Sequence, residues 1–483
     1  MRRYVSVGLL AAGAIGAGAG FWLLRRPLAL VADIMRAERA SPEALAMLQR
    51  ERLLDLIAFA RANSAFYRER YHDLPDAVDD LSTLPVVTKP ELMARFDEWV
   101  TDPAVTRTGV EAFAADPTLA GRRYLGRYSV WTTSGTTGRP GLFIHDRRAI
   151  SIYAALTPLR GYRWVTPTVA TYLVTRGRMA AVIAMDGHFA IYDWLERWRL
   201  SLTPSQRDRI RLISALAPLD QLVQELNGFQ PNLLFGYPST ISLLAAEQRA
   251  GRLRIAPRFI GPGGEGLDAA TRAEIVETFR CVVRETYGAS EFPWAAYECD
   301  HGWLHVNADW VILEPVDRDF APAPPGQPSH TTLLTNLANH AQPLIRYDLG
   351  DSVTVRPDPC PCGSQLQAIH VLGRTGDILR LRTPSGGNVA VTPLAIGAVM
   401  EETPDVYRAQ IIQTEPSALV VRLETTPGSS RADVWAEMAR RLDAYLTAQG
   451  APGVTLTLAG EPPRHDQRSG KFRQVQNATR SAL

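Results

Sequence analysis

The most diagnostic segment of the chain is WTTSGTTGRPG, residues 131–141. Glycines let a backbone approach an anion closely, while successive N–H groups and Ser/Thr hydroxyls donate hydrogen bonds, so the segment predicts a loop that wraps phosphate oxygens. Its spacing is not the GxxxxGK[ST] of a Walker loop, which excludes ordinary P-loop NTPases. Because Gly, Ser and Thr are also common turn residues, a simple turn is the alternative.

The composition describes a globular protein with balanced charge. The chain has 483 residues, of which 46% are hydrophobic and 21% are charged. This length predicts two or more domains. The 52 basic and 50 acidic residues leave a net charge of +2. No nucleic-acid partner is therefore expected, and the substrate must be inferred from individual sites.

The basic residues are almost all arginine, since only Lys89 and Lys471 are lysines among the 52. An ammonium group is a compact point charge, whereas a guanidinium group is a broad planar fork. A site that needs the compact ammonium of lysine does not accept the guanidinium of arginine. Both lysines are therefore candidate functional residues.

The N-terminus carries a candidate membrane anchor. Residues 5–24 hold no charge and are bracketed by arginine pairs at positions 2–3 and 25–26. About twenty apolar residues in a helix span a bilayer core, so residues 1–26 are expected to form a single anchor. The excess of arginine after this segment predicts that the body lies at the cytoplasmic face of the membrane. A cleaved signal peptide and a buried or non-native leader are the alternatives.

The remaining pattern predicts an α/β fold in two domains. Residues 27–375 are assigned to a large ATP- and acyl-binding domain, in which short apolar strands alternate with helices, as in bodies with mostly parallel sheets. The strands are expected at 171–175, 180–185, 232–237, 258–261 and 281–288. Residues 376–483 hold two paired strands, an amphipathic helix and a further strand, which predict a small mobile α+β domain.

Seven further motifs accompany the Ser/Thr/Gly segment. They are NSAFYRERY from Asn63, LPVVTKPEL from Leu84, FGYPSTISLL from Phe235, GGE ending at Glu265, YGASE from Tyr287, PLIRYDLGD from Pro343 and PCPCG from Pro359. With them the chain resembles the adenylate-forming superfamily, and within it the phenylacetate-CoA ligase-like branch that includes capsule-cluster and coenzyme F390 synthetase-related proteins. The resemblance covers residues from about position 40 onward and leaves the leader outside.

The resemblance implies an activity: the chain would activate a small-molecule carboxylic acid with ATP and Mg²⁺ to an acyl-adenylate, then transfer the acyl group to coenzyme A. It also implies that Glu291 holds Mg²⁺ and that Lys471 is the catalytic lysine of the small domain. In the family, Tyr287 would lie against adenine, and Asp351 with Arg374 would hold ribose. The expected nucleotide-binding residues are Thr133, Ser134, Gly135, Thr136, Thr137, Gly138, Gly264, Glu265, Tyr287, Gly288, Ala289, Ser290, Asp351 and Arg374.

The expected chemistry suits these residue types. Attack of a carboxylate on the α-phosphate of ATP brings two anions together and expels pyrophosphate, which demands positive charge and positioning. Lys471 would supply a mobile ammonium, whereas Lys89 receives no such role and is interpreted as structural. The family's small domain swings about a hinge where many members carry Asp. Gly376 stands there, which keeps the hinge free to turn but removes its polar contacts.

Other interpretations remain open at this point. Gly261, Gly263 and Gly266 match GxGxxG, with Glu285 about twenty residues on, as in a dinucleotide-binding oxidoreductase. Against this, Pro262 removes a backbone donor from the turn. A carrier protein or another nucleophile could replace coenzyme A as the acceptor, and a degenerate relative could be a non-catalytic membrane scaffold.

The cysteines suggest a structural metal site. Cys299, His305, Cys360 and Cys362 supply three thiolates and one imidazole, which complete a tetrahedral set for Zn²⁺. His301 could replace His305, and the alternative is that these side chains never meet. Four cysteines are too few for a disulfide scaffold in a chain of this length, and Cys281 is interpreted as a core residue.

Overall fold

The fold is described from a computed structural model that covers residues 28–75, 78, 80–133, 141–161, 177–185, 187–372, 378–391, 393–464 and 474–478. Among these residues no helix combines the length and the apolar character needed to cross a bilayer. The predicted anchor at 1–26, the predicted strand at 171–175 and Gly376 lie outside the described residues.

The body begins with short helices that pack on one another. The helical region after residue 40 is broken at Ser64, whose side chain accepts from Tyr67 N at 3.4 Å and so caps a new helix. Ser41 caps the preceding helix, accepting from Ala44 N at 3.3 Å. The helices are α1 (Leu28–Ala37), α2 (Pro42–Asn63), α3 (Ala65–Arg70), α4 (Lys89–Ala94), α5 (Phe96–Trp99) and α6 (Arg107–Ala114).

A buried hairpin flanks the predicted phosphate loop. Strands β1 (Ser129–Thr132) and β2 (Leu142–His145) pair in antiparallel register and carry apolar side chains into the core of the body. Helix α7 (Arg147–Leu156) follows, capped by Asp146, which accepts from Ala149 N at 2.7 Å. The loop is thus attached to a rigid support.

A five-stranded parallel sheet forms the centre of the body. Its order is β4-β3-β5-β6-β7, so the strand order reverses beside β3, the kind of crevice in which open α/β sheets bind ligands. The strands are β3 (Met179–Ile183), β4 (Ile210–Ser214), β5 (Leu233–Gly236), β6 (Phe259–Pro262) and β7 (Val282–Val283). The helices between them are α8 (Ala190–Leu200), α9 (Pro204–Arg207), α10 (Leu219–Phe229), α11 (Pro238–Arg249) and α12 (Ala269–Phe279).

The α/β class is confirmed, but the other described strands of the large domain pair in antiparallel register. The segment at 281–288, expected to be one strand, is divided between β7 and β8 in different sheets. Short turns join many of the later strands, and such turns connect antiparallel neighbours only. These strands form two sheets, of order β14-β15-β10-β9-β8 and β11-β12-β13. They are β8 (Thr286–Ala289), β9 (Phe292–Glu298), β10 (Leu304–Val306), β11 (Val311–Val316), β12 (Thr331–Asn336), β13 (Tyr347–Asp348), β14 (Val353–Val355) and β15 (Ala368–Val371).

The C-terminal region has a hydrophobic core of its own, built from residues between 379 and 475. Its four-stranded sheet has the order β20-β19-β18-β21 and is covered by α14. The predicted strand pair and amphipathic helix are confirmed. The elements are β16 (Leu379–Arg382), β17 (Asn388–Val391), α13 (Pro393–Glu401), β18 (Val406–Glu415), β19 (Ala418–Thr425), α14 (Arg431–Ala448), β20 (Thr455–Leu458) and β21 (Val475–Asn477).

Buried amides fasten the start of this region to its sheet. Gln413 Nε2 donates to Arg380 O at 2.5 Å, and Arg380 N donates to Gln413 Oε1 at 2.9 Å. Asn477 Nδ2 donates to Ile378 O at 3.2 Å. The boundary predicted at 375/376 falls outside the described residues, but the chain from Ile378 onward is part of the C-terminal unit.

Candidate active site

The two described ends of the predicted phosphate loop are joined to each other. Thr133 N donates to Gly141 O at 3.0 Å, and Gly141 N donates to Thr133 Oγ1 at 2.8 Å. Residues 134–140, which include Ser134, Gly135, Thr136, Thr137 and Gly138, lie outside the described residues. The loop therefore leaves and rejoins the body at one point, at the end of the β1–β2 hairpin.

The predicted Ser290 and Glu291 lie beside this point, in the turn between β8 and β9. Ser290 Oγ donates to Thr132 O at 3.1 Å, which joins the turn to the strand that carries the loop. Glu291 is only 5% exposed. Gly288 and Ala289 end β8, and a β-carbon at Gly288 would lie 2.0 Å from Pro293 O, so only glycine fits there. The structure thus brings together two motifs that are far apart in the sequence.

A buried network that the sequence did not reveal supports the Ser290–Glu291 turn. His145 Nε2 lies 3.0 Å from Ser290 O, and its Nδ1 lies 3.2 Å from Tyr153 Oη. Asn336 Nδ2 donates both to Tyr153 Oη at 2.8 Å and to Glu291 O at 2.9 Å. Burial lowers the pKa of His145 to about 3, so the ring is neutral. Since a carbonyl oxygen only accepts, Nε2 carries the proton and Nδ1 accepts from Tyr153.

Tyr287 and Asp351 are also brought together. Tyr287 Oη donates to Asp351 Oδ2 at 2.9 Å. Asp348, in the same PLIRYDLGD motif, instead stabilises its own turn, because it accepts from Gly350 N at 3.0 Å and from Thr331 Oγ1. Of the two aspartates in the motif, Asp351 is therefore the one bonded to Tyr287, a second predicted site residue.

Gly264 and Glu265 lie at the carboxyl end of the parallel sheet. Gly264 has φ +80° and lies under the ring of Tyr237, where a β-carbon would approach Cε1 to 2.9 Å. Glu265 Oε2 accepts from Ser239 N at 3.0 Å, and Tyr237 Oη accepts from Ala184 N at 3.1 Å. These contacts link β3, β5 and β6 at the crevice where the strand order reverses.

The GxGxxG pattern does not form a dinucleotide-binding turn. Gly263 N already donates to Gly236 O at 3.1 Å, and α12 begins only after Asp268. Glu285 lies 3.5 Å from Arg272 in a buried cluster with Glu298, where burial raises its pKa to about 7. Neither the amide nor the carboxylate is arranged for a dinucleotide.

The predicted metal ligands are gathered into one cluster. The ligand atoms of Cys299, His305, Cys360 and Cys362 all lie within 4.8 Å of one another. Cys299 Sγ and Cys360 Sγ are 3.7 Å apart, near the separation of about 3.8 Å that a tetrahedron with 2.3 Å zinc–sulfur bonds requires. His301 is not a member of the cluster.

The second nitrogen of His305 is already held in place. His305 Nδ1 lies 3.0 Å from Leu366 O, which fixes the proton on Nδ1 and turns the Nε2 lone pair toward Cys362 Sγ, 3.2 Å away. Cys281 stands apart against the core, and burial raises its pKa to about 12. The geometry and donor set both fit Zn²⁺.

Arg374 and Lys471 lie outside the described residues. Their predicted roles therefore remain predictions. The described part of the site consists of the loop ends, the Ser290–Glu291 turn, the Tyr287–Asp351 pair and the Gly264–Glu265 crevice.

The chain is similar in sequence to two curated proteins. No protein-family model matches the chain. A phenylacetate-coenzyme A ligase of Thermus thermophilus is 24% identical over 387 residues, covering 75% of this chain and 77% of that protein. Protein CapK of Staphylococcus aureus is 28% identical over 212 residues, covering 42% of this chain and 44% of its own length.

Solved structures share the fold over nearly the full length. A structure of 2-hydroxyisobutyryl-CoA ligase with 2-HIB-AMP and CoA in the thioesterification state aligns with a TM-score of 0.58 and 21% identity, covering 93% of each chain. The same enzyme in the postadenylation state, with R3-HIB-AMP, aligns with a TM-score of 0.53 and covers 92% of each chain. The chain is thus similar in sequence to proteins of the phenylacetate-CoA ligase-like branch of the adenylate-forming superfamily, and it shares the fold of these CoA ligase structures.

Proposed function

We propose that this protein is an acid–CoA ligase, which converts a carboxylic acid and ATP to an acyl-adenylate and pyrophosphate and then forms the acyl-CoA thioester. The observation that carries the proposal is the hydrogen bond from Ser290 Oγ to Thr132 O, at 3.1 Å. It joins the predicted phosphate loop to the predicted magnesium-binding turn. The relatives with CoA-ligase names support the second half-reaction.

In the adenylation step a carboxylate oxygen attacks the α-phosphorus, and the bond to the β-phosphate oxygen breaks with its electron pair leaving on pyrophosphate. The loop between Thr133 and Gly141 would hold the phosphates through its N–H groups and hydroxyls. Tyr287 would pack against adenine while Asp351 accepts from the ribose hydroxyls. The neutral His145 ring bonds to Ser290 O and the Asn336 amide bonds to Glu291 O, and together they keep the Ser290–Glu291 turn in a fixed position.

Glu291 is the described residue that best fits a magnesium ligand. Its side chain lies in the turn that touches the loop, and its main chain is fixed by Asn336 Nδ2 at 2.9 Å. Carboxylate oxygens are preferred Mg²⁺ ligands, and the ion usually binds to one or two of them together with substrate phosphates. When bound, Mg²⁺ would neutralise charge on the phosphates of ATP.

The remaining positive charge would come from Lys471, carried by the C-terminal unit. Arg374 would hold the ribose beside Asp351. A hinge at Gly376 would let the unit rotate between adenylation and thioester formation. The resemblance of the sequence to the adenylate-forming superfamily supports these roles.

The Cys299–His305–Cys360–Cys362 cluster is proposed as a structural Zn²⁺ site. All four ligand positions come from protein side chains, which is typical of structural rather than catalytic zinc. The ion would fasten the loop between β14 and β15 to the β9–β10 turn. It would therefore stabilise the sheet whose edge strand, β8, carries Tyr287, and it would take no part in the reaction.

We also propose that residues 1–26 tether the enzyme to the cytoplasmic face of a membrane. The uncharged run at 5–24 and its arginine flanks support this proposal. Fractionation of cells that express the full chain or a chain lacking residues 1–26 tests it. An equal soluble fraction for the two chains would rule the anchor out.

The catalytic proposal is tested by acid-dependent ATP–pyrophosphate exchange over a panel of aromatic and aliphatic acids. Exchange with at least one acid is expected for the wild type, and Lys471→Ala should lower its rate strongly while leaving the fold intact. Consumption of CoA with the active acid then tests thioester formation; if only a carrier protein accepts the acyl group, CoA is the wrong acceptor. An absence of exchange with every acid, together with no bound acyl-adenylate, would overturn the proposal.

A further inference from the structure

Lys89 lies at the base of the predicted phosphate loop. A β-carbon on Gly141 would be 3.2 Å from Lys89 Cδ and 3.0 Å from Thr133 Oγ1, so the lysine stem passes beside both ends of the loop. Only Cε separates Cδ from the ammonium nitrogen. The side chain is partly buried. The charge of Lys89 is therefore carried next to the position where the loop leaves and rejoins the hairpin.

The backbone that carries Lys89 is rigidly attached to the site. Val87 N donates to Arg346 O at 3.1 Å, and Asp348 N donates to Val87 O at 3.0 Å, which joins this segment to the strand leading to Asp351. Arg346 Nη1 also donates to Leu84 O at 2.6 Å. These contacts fix the chain on the N-terminal side of the lysine.

Helix α4 is held to the hairpin through Met93. Leu142 N lies 3.4 Å from Met93 Sδ, and Arg107 Nη1 donates to Met93 O at 3.0 Å. Lys89 thus belongs wholly to the large domain. In contrast to Lys471, its location does not depend on the orientation of the C-terminal unit.

The choice of lysine at this position is informative. The chain uses arginine for 50 of its 52 basic residues and keeps lysine only here and at position 471. The space beside Gly141 is narrow, since an added β-carbon there would lie 3.2 Å from Lys89 Cδ, and an ammonium is a more compact charge than a planar guanidinium fork. A surface residue without such a constraint would be expected to follow the general preference for arginine.

We propose that Lys89 binds the β- and γ-phosphates of ATP and the pyrophosphate derived from them. This inference rests on the proposed acid-activating function. As the bond between the α-phosphorus and the bridging oxygen breaks, negative charge accumulates on the pyrophosphate. The Lys89 ammonium stabilises this charge through N–H···O hydrogen bonds and keeps its proton. Lys89, a residue of the large domain, thereby stabilises the pyrophosphate leaving group.

The test is calorimetric binding of Mg–ATP, Mg–pyrophosphate and AMP to full-length wild type, Lys89→Gln, Lys89→Arg and Arg36→Gln. Arg36 is a matched control, because its side chain is 77% exposed on α1 and far from the motifs in the sequence. These probes need no knowledge of the acid. Charged hydrogen bonds of this kind are worth about 10- to 100-fold in affinity.

The expected result is a loss of about 10- to 100-fold in the affinity of Lys89→Gln for Mg–ATP and Mg–pyrophosphate, with AMP binding unchanged. Lys89→Arg should lose less, and Arg36→Gln nothing. Equal binding of Mg–ATP by wild type and Lys89→Gln would overturn the inference about Lys89 but not the proposed function. A loss of AMP affinity as large as the loss of Mg–ATP affinity would also overturn it, because it would show a structural role. If the wild type itself binds no Mg–ATP, the proposed function fails, which is a different outcome.

Discussion

Tyr287 Oη donates a hydrogen bond to Asp351 Oδ2 at 2.9 Å, although Tyr287 lies in β8 and Asp351 lies in the connection between β13 and β14. The bond fixes the position of the carboxylate that is proposed to accept from ribose, and it does so from the ring that is proposed to face adenine. One contact therefore couples the two halves of nucleoside recognition.

Tyr287→Phe should weaken ATP binding. The variant keeps the ring but leaves Asp351 without this donor, and a hydrogen bond to a charged group contributes about 1.5–3 kcal/mol. We expect KM for ATP to rise about tenfold or more, with a smaller change in kcat. Steady-state kinetics of the exchange reaction measure both. Tyr297→Phe is the control, since its hydroxyl bonds to Thr157 Oγ1 at 3.2 Å, and an equal effect in both variants would contradict a specific role for Tyr287.

His145→Phe should remove the support of the Ser290–Glu291 turn while keeping an aromatic ring beside Trp131. The loss of partners for Ser290 O and Tyr153 Oη should cost about 1–3 kcal/mol of stability and lower kcat/KM for ATP. Thermal melts and exchange kinetics test this. Unchanged ATP kinetics in a folded variant would show that the turn does not need His145.

The same histidine predicts a pH dependence of stability. Burial lowers its pKa from 6.5 to about 3, so between these values the unfolded chain binds a proton that the folded chain does not. Its stabilising contribution is therefore complete above about pH 6.5 and falls as the pH decreases toward 3, by up to about 1.4 kcal/mol per pH unit. The melting temperature of the wild type should decrease more steeply than that of His145→Phe over this range. Parallel curves of melting temperature against pH for the two proteins would contradict the assignment of this pH dependence to His145.

Gly141→Ala should impair the phosphate loop. The added methyl would lie 2.7 Å from the Phe143 ring and 3.2 Å from Lys89 Cδ, and overpacking of this kind costs about 1–3 kcal/mol. We expect weaker Mg–ATP binding, measured by calorimetry. Gly228→Ala is the matched control, because that glycine lies in helix α10 with no atom within 4 Å of the added carbon. It should be neutral or slightly stabilising.

The purified protein should contain one Zn²⁺ per chain, as measured by elemental analysis. Cys360→Ala should lose the metal and lower the melting temperature, because the three remaining ligands cannot close the tetrahedron. Cys281→Ala should retain it. A metal-free wild-type protein with full stability would refute the zinc proposal.

The sequence predicted the parts of the molecule whose signals are local. Strands β3, β5, β6 and β7 lie in predicted apolar runs, and the Ser/Thr/Gly loop, YGASE and the cysteines are compact motifs. Strand β4, whose sequence IRLIS is interrupted by Arg211, was not predicted. His145 and Asn336 give no signal in the sequence because their role depends on partners 145 and 45 positions away, which no local pattern encodes. Lys89 was interpreted as structural for the same reason, since its proximity to Gly141 arises only from folding.

The division of residues 281–288 between two sheets also has a physical explanation. Val282 and Val283 complete the parallel sheet, whereas Tyr287 pairs with Ala296 in an antiparallel sheet. Both halves are rich in strand-forming residues, so propensity alone does not mark the change of partner.

The bonds that Gln413 and Asn477 make to Arg380 and Ile378 have a mechanical consequence. They leave no slack between the end of the predicted hinge and the C-terminal sheet. A rotation at residues 373–377 would therefore be transmitted in full to β21, the strand that follows Lys471 in the sequence. Ile378, Arg380 and the C-terminal sheet would therefore turn together as one rigid body.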